Sequence, residues 1–388
     1  MHSLVSSAAT GVTVAGLGDH ERPLRILQVG PTAYRGGVTT AVLMLAKGLR
    51  QEGHEVMLVT DGGDTRELEA LGVQCRVTKL SQKPLAIARG IIDTRRALRD
   101  FRPDVVHVHG RAPSLRSHLS GRRPDWFTLH STHLTERVGW MDAGAVRRAL
   151  SPLARRFFVL DESAREYLQH AMGIENERVE VVFNGVDCDR YRVPTERERR
   201  IARAQFGVRD GQTLVLFVGR LHAWKQPQAI VELARRTRAG HDQLRFAIVG
   251  EGELEASVRD AIAAAGVEDI CTMHGWMDPL EAYFAADLLV MPSLHEGFGL
   301  VAVEAMATGC PVLRSRTGGS DRMIVEGRTG FCCGTDVESF ILAGQQVLAE
   351  PRKLAAMRTD VREWVASRLS LRAQARTVVD HYRRHWPR

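Results

Sequence analysis

Residues 287–309 read as a strand, a sharp turn and a helix in immediate succession, and this stretch most narrows what the chain can be. Asp287-Leu-Leu-Val-Met291 is an apolar run that reads as a buried strand. Pro292 breaks it, and Glu296-Gly-Phe-Gly299 opens an Ala-, Val- and Met-rich segment that reads as a buried helix. Free N–H groups at the first turn of such a helix, with Gly297 and Gly299 allowing close approach, make a site for a phosphate-like anion. Glu296 and Glu304 bracket that turn. Helical side chains tilt toward the N-terminus, so Glu304, about one turn in, leans back toward the same ligand. A carboxylate repels a phosphate, so two carboxylates beside an anion cradle imply hydroxyls to be gripped. A ligand that joins a sugar to a phosphate satisfies both requirements, and glutamate seldom sits in an Ala/Val/Met helix without a partner.

The rest of the chain repeats strand and helix in alternation. Its 388 residues exceed what one core usually serves, so two domains are expected. Residues 1–22 are small and polar and read as a flexible extension. Leu24–Gly30 is then a strand, Pro31 to Gly37 a loop, Val38–Gln51 a helix and Glu55–Thr60 a second strand, a βαβ unit and hence a parallel sheet. Strands follow at Asp104–His109, Trp126–His130, Phe157–Leu160 and Val179–Phe183, with helices between them. A charged stretch over 192–211 is the linker. Beyond it come strands Thr213–Val218, Leu244–Val249 and Ile270–His274, and helices Pro227–Ala239 and Glu253–Ala265. Ligands in such sheets sit beyond the carboxyl ends of the strands, which draws attention to His107, His109 and His130. The Tyr34-Arg-Gly-Gly-Val38 loop is not the Gly-x-Gly-x-x-Gly dinucleotide fingerprint, which argues against a nicotinamide enzyme.

Pro292-Ser-x-x-Glu-Gly-Phe-Gly-Leu-Val-x-x-Glu-Ala-Met-Ala307 resembles the signature of the GT4 retaining glycosyltransferases, also called group 1. The resemblance implies an α/β chain of GT-B fold: two Rossmann-like domains with parallel sheets facing a central cleft. Residues 23–190 would form the acceptor domain, 191–368 the nucleotide-sugar donor domain, and 369–388 a helix crossing back to the first. Further motifs fit. Gly219-Arg-Leu-His-Ala-Trp-Lys225 is similar to the family's pyrophosphate loop, with Gln226 where glycine is usual, and Arg and Lys both suit a diphosphate. Gly250-Glu-Gly-Glu-Leu254 resembles the Gly-x-Gly-x-Leu loop, Gly275 and Trp276 lie where the family packs the nucleobase, and Gly36-Gly37 lie near the donor diphosphate. His130, in Phe127-Thr-Leu-His130, matches the histidine beside the reacting sugar. The resemblance therefore assigns His130, Glu296, Arg220 and Lys225 to catalysis. It assigns Gly36, Gly37, Gly219, Arg220, Lys225, Gly250, Gly275, Trp276, Glu296, Gly297, Phe298, Gly299, Leu300, Val301 and Glu304 to the donor, with Glu296 on the sugar and Glu304 on the ribose. Phe183-Asn-Gly-Val-Asp187 resembles a family turn, and Asp187-Cys-Asp189 after it reads as structural. Cys310-Pro-Val-Leu-Arg-Ser-Arg-Thr-Gly-Gly319 adds Arg314 and Arg316, at least one of which is expected to contact an anionic group.

No cofactor and no metal is expected. His107-x-His109 and His130-x-x-His133 look like ligand pairs, but strand alternation sends neighbouring side chains to opposite faces, and no further ligand is spaced for tetrahedral closure. GT-B enzymes, moreover, generally need no bound metal. Six cysteines without a Cys-x-x-Cys pairing favour reduced thiols. The net charge of +7 is concentrated: Leu85–Leu160 holds fourteen arginines against six acids. That excess suits an anionic acceptor or an anionic membrane surface, whereas no recognition motif points to nucleic acid. With no long apolar run and no signal peptide read in the sequence, a cytoplasmic protein is expected, with peripheral contact at the inner membrane face as an option. The expected reaction is retaining transfer of a hexose-type sugar from a nucleoside diphosphate to a hydroxyl of a glycan, glycolipid or natural product. The alternatives are a nucleotide-sugar 2-epimerase of the same fold and a non-catalytic nucleotide-sugar-binding partner subunit.

Overall fold

The computed structural model describes residues 22–30, 37–60, 62, 64–78, 84–130, 154–238 and 243–385. The expectations placed on residues 1–21, Gly36, His133 and Trp386 lie outside these. Apolar runs such as Arg25-Ile-Leu-Gln-Val-Gly30 and Thr213-Leu-Val-Leu-Phe-Val218 are covered on both faces and build two wholly parallel sheets. The first contains β1 (Arg25–Gly30), β2 (Glu55–Thr60), β3 (Gln74–Val77), β4 (Val105–His109), β5 (Trp126–Leu129), β6 (Arg156–Val159) and β7 (Val179–Val181), in the order β3-β2-β1-β4-β5-β6-β7. The second contains β8 (Thr213–Val218), β9 (Leu244–Val249), β10 (Cys271–Met273), β11 (Leu288–Met291), β12 (Val312–Ser315) and β13 (Gly330–Cys333), in the order β10-β9-β8-β11-β12-β13. Strand order reverses between β1 and β4 in one lobe and between β8 and β11 in the other, and a crevice opens at such switch points. The loops entering those crevices start at Gly30, His109, Val218 and Met291, which places the motifs after β8 and β11 side by side.

Spans read from apolar runs agree with the structure at β2, β8 and β9 to the residue. β3 and β13 escaped that reading. Both are four-residue edge strands with half-buried positions, so neither shows a continuous apolar run. β12 shows no strand signal of its own, because Arg314 and Ser315 interrupt its apolar pattern.

The helix Leu371–Arg384 follows the second lobe in sequence but packs on the first. Ser370 caps it by accepting from Ala373 N. Val378, Val379 and Tyr382 are buried in the same core as Leu24, Leu45, Leu49 and Trp126. At roughly 1.5–3 kcal/mol for each large side chain taken from water, this helix is a principal tie between the lobes. Its approach needs glycine. A Cβ on Gly48 would stand 2.6 Å from the Leu371 carbonyl oxygen, and one on Gly185 2.9 Å from that of Ser370. Val186 N donates to Leu369 O at 2.8 Å, and Leu371 N to Val186 O at 3.1 Å. Asp187, one residue on, is buried and accepts from Lys47 Nζ at 2.6 Å. The Asn-Gly-Val-Asp turn thus stitches the return crossing, and Asp187 is engaged in holding it. No described helix is long and apolar enough to cross a membrane.

Because the Gly48 methyl would meet backbone, the Gly48→Ala protein is expected to lose roughly 1–3 kcal/mol of stability in denaturant unfolding. Wild-type stability in that variant would contradict the packing described.

Candidate active site

The loops after β8 and β9 form one layer. Leu221 N donates to Glu251 O (2.9 Å), Leu254 N to Leu221 O (3.0 Å), and the Leu221 side chain is fully buried. Only glycine fits at Gly250, whose φ is +143° and whose added Cβ would lie 1.9 Å from Gly219 O. On this layer a short 3₁₀ turn, Ala223–Lys225, points the Lys225 ammonium onto the Glu296 carboxylate, which comes from the loop after β11. The backbone fixes the same register, because Leu294 N donates to Trp224 O at 2.8 Å. Gln226 follows in the left-handed region, φ 47° and ψ 51°, which explains why glycine suits this position. Arg220 is exposed beside the loop and has no ion pair among the described residues.

Gly299, at φ +87°, turns the chain into the helix Leu300–Ala307. Glu304 lies one turn in and accepts from the Tyr283 hydroxyl at 2.9 Å. Burial pushes its carboxyl up to about 7, against the hydrogen bond from Tyr283 and the charge of Arg190, which lower it. Below this helix Arg314 is 1% exposed and donates to Phe298 O (3.1 Å), Thr317 Oγ1 (3.0 Å) and Gly318 O (3.1 Å). Its guanidinium therefore braces the Glu-Gly-Phe-Gly turn from within. Arg316 pairs with Asp321 at 2.5 Å on the surface. Within the chain, Arg316 thus has an acidic partner, while Arg314 serves two backbone carbonyls and the Thr317 hydroxyl.

The first lobe closes the crevice from the other side. A Cβ on Gly37 would stand 3.7 Å from Leu300 Cδ1, so the helix Gly37–Gln51 and the helix Leu300–Ala307 begin against each other. A Cβ on Gly297 would lie 2.9 Å from His130 O. His130, Asp161, Glu296, Gly297 and Gly318 line a cavity of about 290 Å³ between the lobes. His130 Nε2 is 3.1 Å from His109 Nδ1, and His130 Nδ1 is buried without a hydrogen-bond partner among the described residues. Burial lowers the His130 pKa to about 4, so the ring is neutral at pH 7. His107 and His109, contrary to the alternation argument, share one face because they are two apart, and their rings are 4.3 Å apart. His107 is consumed by Tyr382 Oη at 2.7 Å and Thr128 Oγ1 at 2.6 Å.

The structure thus gathers Lys225, Glu296, Gly297, Gly299, Leu300, Glu304, Gly37 and His130 about one crevice, with Gly219, Arg220 and Gly250 on the adjoining layer. Gly275 joins that layer through its carbonyl, which accepts from Gly250 N at 2.7 Å. Three further assigned residues belong to the same turn, helix and loop. The Phe298 side chain is buried and stacks on Phe183 with centroids 5.6 Å apart, Val301 is half-buried against the core, and Trp276 is 58% exposed. Sequence reading missed Asp161, although it follows β6 as His130 follows β5, and missed the buried brace at Arg314. Polar groups in a crevice with a helix start and paired charges are equipped to hold a phosphorylated, hydroxylated ligand.

The family described as glycosyl transferases group 1 matches residues 198–364, and glycosyltransferase family 4 matches residues 35–190. The chain is a group 1 glycosyltransferase of the family 4 type. It is 28% identical to a D-inositol 3-phosphate glycosyltransferase of Gordonia bronchialis over 90% of this chain and 83% of that one. A glycogen synthase of Mycobacterium tuberculosis is 27% identical over 84% of this chain and 87% of its own. Anabaena Alr3699/HepE, solved in complex with UDP and glucose, superposes with a TM-score of 0.76 at 18% identity, covering 93% of this chain and all of that one (100%). That likeness gives this glycosyltransferase the GT-B fold.

Two substitutions test the local geometry. Replacing Arg314 with Ala strips donors from buried carbonyls and is expected to cost roughly 2–4 kcal/mol in denaturant unfolding. Gln226→Gly relieves a left-handed residue at some entropic cost, so a melting temperature equal to or above the wild type is expected. A marked fall would mean that Gln226 has its own role.

Proposed function

We propose that this glycosyltransferase moves a hexose-type sugar from a nucleoside diphosphate to a hydroxyl acceptor with retention of anomeric configuration. The observation that carries the reading is the meeting of Lys225 and Glu296 at the mouth of the helix Leu300–Ala307, with Glu304 one turn inside. Breaking the glycosidic bond puts negative charge on the departing diphosphate and positive charge on the sugar ring. Arg220, Lys225 and the positive end of the helix would meet the first, since fixed charges in a closed crevice outperform water. Glu296, oriented by Lys225, has a second carboxylate oxygen for sugar hydroxyls. Glu304 would take the ribose hydroxyls, and neutral His130 the hydroxyl nearest the reacting carbon. No carboxylate is placed as a covalent nucleophile in this reading, so the acceptor attacks the face that the diphosphate leaves and gives that diphosphate its proton. Cations and backbone amides suffice for the leaving charge, so the proposal includes no metal ion.

The likeness to a protein solved with UDP and glucose makes UDP the first nucleotide to try. The basic stretch of the first lobe, together with a relative named for inositol 3-phosphate, favours an anionic acceptor. A cytoplasmic site of action at the inner face of an anionic membrane fits the same charge.

Glu296→Ala and Lys225→Ala are each expected to lower kcat by about 10²–10³ while leaving the melting temperature within a few degrees. Retained turnover would contradict the assignment, and an inverted anomer in the product by NMR would contradict retention. A pH series tests Glu304. Ribose hydroxyls donate to its carboxylate, whereas the empty site holds it protonated below about 7. UDP affinity should therefore fall as pH drops below that value, because binding must release a proton. In Glu304→Gln, binding should be weaker overall, and only the slope due to the diphosphate itself should remain. Equal slopes in both proteins would remove Glu304 from the ribose.

A further inference from the structure

Away from the crevice, the seam between the crossing helix Leu371–Arg384 and the first sheet gathers Glu180, His381 and His385. Glu180 is the middle residue of β7, the edge strand. His381 lies in the last turn of the helix and His385 is the residue that caps it, four positions on, so both rings face one way. Glu180 Oε1 stands 3.5 Å from His381 Nδ1 and 3.6 Å from His385 Nε2. One ligand atom from each residue falls within 4.8 Å of the others. The two distances to Glu180 are poor hydrogen bonds, but they resemble the roughly 3.4 Å between ligands of a tetrahedral ion with bonds near 2.1 Å. His381 Nδ1 and His385 Nε2 are buried and have no hydrogen-bond partner among the described residues, which a native interior seldom leaves unexplained.

We propose that Glu180, His381 and His385 form a His₂Glu site for a divalent transition-metal ion of the zinc class, with water as its fourth ligand. Two imidazoles and one carboxylate suit zinc better than magnesium or calcium, which prefer oxygen throughout. The rings are held in place by aromatic packing. Trp126 lies 6.2 Å from the His381 ring and 6.0 Å from that of His385, and Phe158 meets His381 edge-on at 5.7 Å. His385 also lines a cavity of about 260 Å³ bordered by Asp104 and Asp125, which gives an ion a path and a water a place. Arg156 and Arg384 are the cations that bear on these imidazoles, and Asp380 joins Glu180 on the acidic side. The ion would pin the end of the helix that returns from the second lobe onto the edge of the first sheet. Its role is one of stability, separate from the chemistry at Lys225 and Glu296.

Full-length protein, treated with chelator and dialysed, is titrated with zinc chloride alone by calorimetry and thermal shift. One ion per chain and a rise in melting temperature are expected, as for any ligand specific to the folded state. Glu180→Gln and His385→Gln should each weaken binding at least tenfold, with an unliganded melting temperature close to the wild type. Cobalt(II) should give a tetrahedral visible spectrum in the wild type that either variant loses, so one folded variant is enough to decide. Absence of saturable binding would overturn the site. So would binding left unchanged in the variants, which would move the ion to other residues.

Discussion

The meeting of the Lys225 ammonium and the Glu296 carboxylate, on loops 71 residues apart in sequence, is the interaction on which the rest of the molecule depends. It forms because two switch-point strands, β8 and β11, lie side by side, and because Leu294 and Trp224 set the register of the loops that follow. With Glu296 only partly exposed, an unpaired carboxylate there would carry a small desolvation cost. The ion pair both relieves that cost and stores a cation beside a helix start. In the proposed reaction, an entering diphosphate would compete with Glu296 for the same ammonium.

Everything beneath that pair serves to keep it in place. Arg314 gives up its donors to Phe298, Thr317 and Gly318, so a fully buried guanidinium functions as a strut under a loop with few apolar anchors of its own. Gly250 and Gly252 let the loop after β9 press against the Gly219–Lys225 loop, which fixes the floor on which Lys225 stands. On the far side the return helix Leu371–Arg384 carries the packing that keeps the lobes apposed, threaded past Gly48 and Gly185. The first lobe then supplies what the second lacks, a neutral His130 and the start of the helix Gly37–Gln51.

Most of this was legible in the residues, and the illegible parts have physical causes. Continuous apolar runs named most of the central strands, because a strand covered on both faces has few polar positions to blur its limits; β12, interrupted by Arg314 and Ser315, is the exception. β3 and β13, at the edges, carry half-buried residues and left no such mark. The Glu296 to Glu304 block disclosed the helix start because glycine, carboxylate and alanine each have a separate reason to be there. The bracing role of Arg314 was not legible, because a charged side chain in a short motif looks like a ligand-binding group. Only the groups packed around it, two carbonyls and the Thr317 hydroxyl, show what it holds. The histidines misled in the opposite direction: positions 107 and 109 share a face, yet the proton partners that separate their roles, Tyr382 and His130, come from distant segments that no local pattern reveals.

The most direct measurement is a crystal structure of the protein with UDP bound. The account predicts a diphosphate within hydrogen-bond reach of Lys225, Arg220 and the first-turn amides of the helix Leu300–Ala307, and ribose hydroxyls on the Glu304 carboxylate. A nucleotide bound elsewhere, or one in this crevice with Glu304 and Lys225 both out of reach, would contradict it.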